Sequence, residues 1–269
     1  MLETCLELRR ALGNEVDVAA TLSTLSLARL QAGDAVAAAA GESEALEIFR
    51  RLEDRIGEAI GLLHLGQISL YRGDDALARS CLEQCLAVAC EIRHQEVEGE
   101  CELVLGEAAL EAGDTAQACL RLKRSLTVCR EAGDKRGEAN ALRWLARVDL
   151  QSGDLAAARA RLSEALRSFR AFEMREELLG CLEDHAELAE AEGRREVAAG
   201  LAGAAAHSRD RLALTRSPHG ELRWQALVGR LRGALGDGPF ESACEEGRRW
   251  PIDEAISQAL ATRSERATA

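Results

Sequence analysis

The sequence predicts an all-α chain, a right-handed superhelical solenoid of stacked helical hairpins closed by a C-terminal helical cap. Three observations predict it. A Gly-Asp pair recurs at Gly33-Asp34, Gly73-Asp74, Gly113-Asp114 and Gly153-Asp154, each copy forty positions after the last, with a degenerate copy at Gly193-Arg194. A fixed period of this size marks supersecondary units that bury a continuous core by stacking. Residues after each turn recur in register with helical offsets. The composition is rich in Ala, Leu, Glu and Arg, with three prolines and 3% aromatics, and so favours helix over strand.

Residues 1–14 carry the pattern of a hairpin's second helix, because Cys5 and Leu6 fall one period before Ala45 and Leu46. The matching first helix is missing. A truncated repeat and a terminal capping helix both account for this, and either leaves Leu2, Leu6 and Leu8 without cover, which predicts self-association through that end.

Five hairpins are expected over residues 15–214. After each turn, Ala78, Ala118 and Ala158 are followed by Leu82, Leu122 and Leu162, then Leu86, Leu126 and Leu166, offsets that define one helical face. Cys85, Ser125 and Ala165 fill that face with smaller groups, and Ala89, Cys129 and Phe169 extend it. Before the turn, Leu62, Leu65 and Gly66 correspond to Leu142, Leu145 and Ala146, so a first helix precedes it. The Gly can take the left-handed conformation that ends one helix, and the Asp can cap the amides that open the next. Between hairpins, Asp54 and Asp134 suit the same capping role, with Glu58 and Glu138 in the first turn. Gly66, Gly106, Ala146 and Ala186 sit where the two helices of a hairpin would cross, so their small size serves close packing.

Residues 215–269 form the predicted cap and tail. Ser217-Pro218 reads as a helix start, with Trp224, Leu227, Val228, Leu231 and Leu235 on one face and Gly236 as the stop. A short helix around Phe240 and Ala243 runs to Gly247. Pro251 then opens a last helix with the stripe Ile252, Ala255, Ile256, Ala259 and Leu260.

Leu65-Gly66, the Gly73-Asp74 turn, Ala78 and Cys85 resemble the tetratricopeptide signature, and the next two units resemble it likewise; the likeness runs from about Asp17 to Leu214. The helices are longer than the family's, no proline closes each unit, and the fifth unit is worn, with His185 where a leucine is expected. The forty-residue variant is similar to the repeat regions of bacterial signal-transduction ATPases and cyclases. In the tail, Leu231-Arg232, Leu235-Gly236, Phe240, Ala243, Glu246-Gly247-Arg248, Glu254-Ala255 and Ala259-Leu260 resemble the closing segment of large multidomain signalling ATPases. These include relatives of the maltose-regulon activator. The resemblance implies a bacterial interaction and sensing module, the C-terminal repeat domain of a larger signalling ATPase, cyclase or kinase. The alternative is an independent tetratricopeptide adaptor with no catalytic partner domain.

The formal charge of -12 argues against nucleic acid, since phosphate binding needs a basic face. No stretch has the apolar length of a membrane span, and the first residues lack the basic and apolar regions of a signal peptide. A cytoplasmic chain is therefore expected. Its nine cysteines, an odd number at irregular spacings, are expected to be reduced thiols that mostly fill core positions.

No cofactor or metal site is expected. The phosphate-loop motif is missing, no Ser-His-acid motif occurs, and Cys81, Cys85, Cys90 and His94 lack the tight pairing zinc favours. His185, near Cys181, is expected to be a buried histidine bonded to a carbonyl, so no enzymatic role is expected. The expected partners are a protein, a peptide or other domains of the parent chain, held in a groove lined by the first helices. Counting back from each turn puts on that wall Gln67 and Tyr71, then Glu100, Glu107 and Glu111, then Asn140, Arg143, Arg147 and Gln151, then Glu183 and Glu187. For Arg143 and Arg147 two readings stand: sideways pairing with the flanking glutamates, or capture of a partner's carboxylate by charge-assisted hydrogen bonds.

Overall fold

A computed structural model describes residues 2–261; the last eight residues of the predicted tail, 262–269, lie outside it. Among the described residues every regular element is a helix. A lone helix α1 (Leu2–Leu12) precedes five hairpins, and these are α2 (Glu15–Gln31) with α3 (Ala35–Arg51), α4 (Arg55–Tyr71) with α5 (Asp75–Ile92), α6 (Gln95–Glu111) with α7 (Thr115–Ala132), α8 (Lys135–Ser152) with α9 (Leu155–Ala171), and α10 (Arg175–Ala191) with α11 (Arg195–Leu212). Three more helices follow, α12 (Pro218–Leu235), α13 (Asp237–Arg248) and α14 (Ile252–Leu260). The chain is an all-α solenoid of consecutively packed helices, divided into two compact units, Met1–Gly137 and Glu138–Ala269.

The corners between consecutive helices of the hairpins share one closing backbone bond, and all but those at Met174 and Arg194 add a side-chain cap. The Asp34 amide donates back to the Arg29 carbonyl at 2.9 Å while its side chain accepts from the Ala37 amide at 3.0 Å, so one residue closes α2 and opens α3. Asp54, Asp74, Asp114, Asp134 and Asp154 repeat both bonds. His94 does so with Nδ1, 3.3 Å from the Val97 amide. The residue before each cap is left-handed. Gly33, Gly73, Gly113, Gly153 and Gly193 have φ between 75° and 85°. Between hairpins Gly133 has a φ of 71°, while Glu53, Arg93 and Glu173, and Ala213 after the last hairpin, adopt the same conformation without a glycine, with φ of 53° to 57°. A left-handed non-Gly residue costs about 1–2 kcal/mol, which the two backbone bonds of the corner offset. The Gly-Asp turns and the Asp54 and Asp134 caps were legible in the sequence; the left-handed Glu53, Arg93, Glu173 and Ala213 were not, because nothing about those side chains suggests the conformation.

In unit one the predicted faces form the core, with Leu62, Leu82, Cys85, Ala89 and Cys101 buried together. A Cβ on Gly66 or Gly106 would lie 2.7 or 2.6 Å from Leu82 or Leu122, so these glycines do set the helix crossing. Six cysteines, Cys81, Cys85, Cys101, Cys129, Cys181 and Cys244, are buried packing groups. At the N-terminal end the expectation needs correcting. Leu6 is buried against α2 and α3 and Leu2 packs on the same cluster; only Leu8, with Leu12, remains exposed.

In unit two α9, α10 and α11 pack as expected, but the following pair does not. By the period a sixth hairpin would open at 215 and turn at 235, and α12 and α13 begin close to those positions. They have nevertheless come apart. α13 packs mainly on α11 and touches α12 far less. Small residues decide this: a Cβ on Gly203 would lie 2.2 Å from the Cys244 carbonyl oxygen, and one on Gly247 only 1.9 Å from that of Gly200. Backbones this close admit no side chain between them. Gly203→Ala is predicted to destabilise unit two by about 1–3 kcal/mol through overpacking, seen as a lower thermal midpoint. A midpoint equal to the parent's would refute the close crossing.

His185 is fully buried at the register of Leu25, Leu65, Leu105 and Leu145. The expected hydrogen bond to a carbonyl is not formed, and among the described residues neither ring nitrogen has a partner. Cys181 Sγ donates to the Leu162 carbonyl at 3.6 Å. Burial pushes the imidazole down from 6.5 to about 4, against the weaker pull of Leu162 and Asp184. Because the folded value is depressed, the unfolded chain binds a proton the native chain cannot as pH falls from 6.5 towards 4. That linkage removes roughly 3 kcal/mol of stability across the window. His185→Leu is expected to raise stability at pH 7 by about 1–3 kcal/mol, by removing two unpaired polar atoms, and to flatten the denaturation midpoint between pH 6.5 and 4. An unchanged pH slope in the variant would disprove the assignment.

Candidate functional site

The first helices carry the candidate interaction residues, and each unit is best taken separately. In unit one, His64, Gln67 and Tyr71 follow one face of α4 at helical spacing. Gln67 Nε2 donates to Glu100 on α6 at 3.3 Å, and His64 Nδ1 lies 3.0 Å from Ser23 Oγ on α2, so polar contacts knit α2, α4 and α6 along one wall. Tyr71, Glu107 and Glu111 are half-buried on it and Glu100 is exposed.

Behind this wall the structure places a group that sequence reasoning missed. Glu42 on α3 is fully buried at the register of Leu82, Leu122 and Leu162. Its Oε1 accepts from Ser23 Oγ at 2.8 Å and lies 3.5 Å from His64 Nδ1, while Oε2 has no hydrogen-bond partner among the described residues. Glu102 likewise replaces a core leucine, at the register of Leu62 and Leu142, and is answered by Arg121 at 3.1 Å and Arg124 at 3.7 Å. Comparing the repeats column by column would have exposed both, since a carboxylate in a leucine column needs a partner or is costly.

In unit two the candidate arginines are already engaged. Arg143 Nε donates to Asp184 at 2.5 Å, Arg147 donates to the other oxygen of the same carboxylate, and Glu187 lies 3.8 Å from Arg147. Asp184 and Arg147 are buried. Burial alone would depress both arginines, but the Asp184 carboxylate overrides it and raises them. Burial would raise Asp184, and the two guanidiniums outweigh that and hold it below its ordinary value. Stacking adds to the cluster: Arg147 and Arg143 lie 5.3 and 5.8 Å from the Trp144 ring centre, and Arg223 of α12 lies 5.8 Å from it. Glu183 accepts from Arg209 Nε at 2.8 Å and from Arg216 Nε at 2.9 Å, and Arg216 stacks on Trp224 at 4.0 Å. Asn140 is half-buried and Gln151 exposed.

Arg143 and Arg147 thus pair sideways within the chain, chiefly with Asp184 and, for Arg147, also with the flanking Glu187 at 3.8 Å. Asp184 was passed over because it lies one residue before the worn His185 position. A further side chain helps cover the cluster: with Arg143 and Arg147, Trp224 and Leu227 of α12 line the small cavity above Asp184. Helix α12 thus lies over the α8 and α10 wall.

No family model and no curated protein matches the sequence. Among solved structures, BtubC (BKLC) from P. vanneervenii is similar, with a TM-score of 0.58 and 19% identity over 81% of this chain and 91% of that one. The likeness shows a shared helical-repeat fold. Among the described residues no helix is long and apolar enough to cross a membrane.

Asp184→Ala is predicted to cost about 3–5 kcal/mol, because it strands two buried guanidiniums without their counter-charge. Chemical denaturation measures it, and a loss under about 1 kcal/mol would show that the pair is solvated after all.

Proposed function

We propose that this chain is a protein-interaction and sensing scaffold with no catalytic centre of its own. It is of the tetratricopeptide type and serves as the cytoplasmic C-terminal repeat region of a larger bacterial signal-transduction ATPase, cyclase or kinase. The observation that carries the interaction reading is the first-helix wall of unit one, where Tyr71, Glu100, Glu107 and Glu111 stand half-buried or exposed on α4 and α6. Side chains fixed on rigid helices suit a surface that docks a partner, and one rich in carboxylates selects a basic segment by charge complementarity. In unit two Arg143 and Arg147 are held by Asp184 and Glu183 is held by Arg209, which supports a structural part for these residues.

The parent-chain part rests on the resemblance of the closing segment, Leu231-Arg232 to Ala259-Leu260, to that of signalling ATPases. An independent adaptor is the alternative, and the reading frame upstream of Met1 separates the two: continuation into a nucleotide-binding or cyclase domain supports the first, and a native start at Met1 the second. For the wall itself, Glu100→Lys with Glu107→Lys is expected to weaken binding of the partner domain, or of a Lys-rich segment, by at least about ten-fold at low salt. The helical circular dichroism should stay that of the parent. Undiminished affinity in the folded double variant would rule the wall out.

A further inference from the structure

The open end of the fifth hairpin differs from its counterparts in the sign of its charges. In the first hairpin Glu15, at the start of the first helix, pairs with Arg51, at the end of the second, at 2.7 Å. In the second hairpin the same two positions hold Arg55 and Glu91, again paired. In the fifth they hold Arg175 and Arg211. Two exposed arginines stand where the first two hairpins set opposite charges against each other and the third and fourth hold Gln95 with Glu131 and Lys135 with Ala171; among the described residues neither arginine has an ion-pair or hydrogen-bond partner. The cap is altered at the same end. Asp54 and Asp134 place a carboxylate over the first turn of α4 and α8, whereas Met174 opens α10 with no side-chain bond to its amides. The corner keeps Glu173 and, in the first turn of α10, Glu176 and Glu177, but the capping carboxylate and the paired acid of the first two hairpins are both missing.

Arg175 and Arg211 line one cavity of 370 Å³. Its apolar lining comes from Leu178 and Leu179 of α10, Leu212 of α11 and Ile252 of α14. Arg170 and Glu173 also border it, but Arg170 is engaged with Asp253 at 2.8 Å, leaving the two unpaired guanidiniums against the single carboxylate of Glu173. The volume falls in the range of small-molecule sites. Two guanidiniums on the rim of one cavity offer planar donors that match a carboxylate or phosphate. We infer that this cavity is a binding site for a small amphiphilic anion, a carboxylate or phosphate head held by Arg175 and Arg211 with an alkyl or aryl body on the Leu178, Leu179 and Ile252 floor. The site goes beyond the protein-docking wall of unit one and does not depend on it.

The test is calorimetric titration of the whole chain with hexanoate, hexyl phosphate and hexanol. The expected result is that at least one anion binds about ten-fold or more tightly than hexanol, the better of the two identifying the head group. Arg211→Glu recreates the charge pair seen at Arg55 and Glu91, so it should keep or raise the thermal midpoint while weakening the anion about ten-fold. Arg211→Gln removes the charge without adding another, and should weaken the anion in the same direction should the charge swap disturb folding. Equal binding of hexanol and both anions, no binding of either anion up to about 10 mM, or undiminished anion affinity in the folded variants would overturn the site.

Discussion

At most corners a single residue ends one helix and begins the next, and the whole solenoid depends on that economy. The amide of Asp34 satisfies a carbonyl left open by α2, its carboxylate satisfies an amide left open by α3, and the residue before it turns left-handed to let both bonds form. Helix ends leave four amides and four carbonyls without partners, and a chain of fourteen short helices among the described residues multiplies that problem. Solving it in place, with no loop residues to spare, fixes the angle at which each helix leaves its predecessor. The leucine and alanine faces can then meet in the same way at every step.

Once the scaffold is fixed by backbone bonds and small residues, individual core columns can depart from the repeat. Glu42, Glu102 and His185 each occupy a column filled elsewhere by leucine, and each meets burial differently. Glu102 is answered by two arginines, Glu42 by a serine and a histidine, and His185 by staying neutral. Asp184 completes the series as a buried acid balanced by Arg143 and Arg147. Such groups lower stability relative to a leucine core, and their partners lie on neighbouring helices, so they tie adjacent helices of a unit into one arrangement.

The end of unit two follows from the same competition between pattern and packing. The chain continues the period into α12 and α13, yet the glycines of α11 offer α13 a closer approach than α12 can. With α13 drawn onto α11, α12 lies beside α8 and α10, where Trp224 and Leu227 cover the arginine cluster. α14 then packs against α10 and α11, and Ile252 at its start completes the apolar lining between Arg175 and Arg211.

Much of this was legible in the sequence alone, because its causes are local. The period, the helical faces, the Gly-Asp turns, the aspartate caps and the starts of α12 and α14 all follow from what residues within a few positions can do for one another. The left-handed Glu53, Arg93, Glu173 and Ala213 were not legible, since no preference of those side chains announces the conformation; the bonds of the corner impose it. Gln67, Tyr71 and Glu100 were placed on the first-helix wall by counting, whereas the partner of Arg143 and Arg147 was not, as Asp184 comes within reach only after α8 and α10 pack. The same holds for the separation of α12 from α13 and for Arg175 facing the cavity it shares with Arg211. Periodicity states which face of a helix is buried, but only the packed structure decides which distant side chain meets it there, because burial and charge pairing are settled by geometry between helices and not within them.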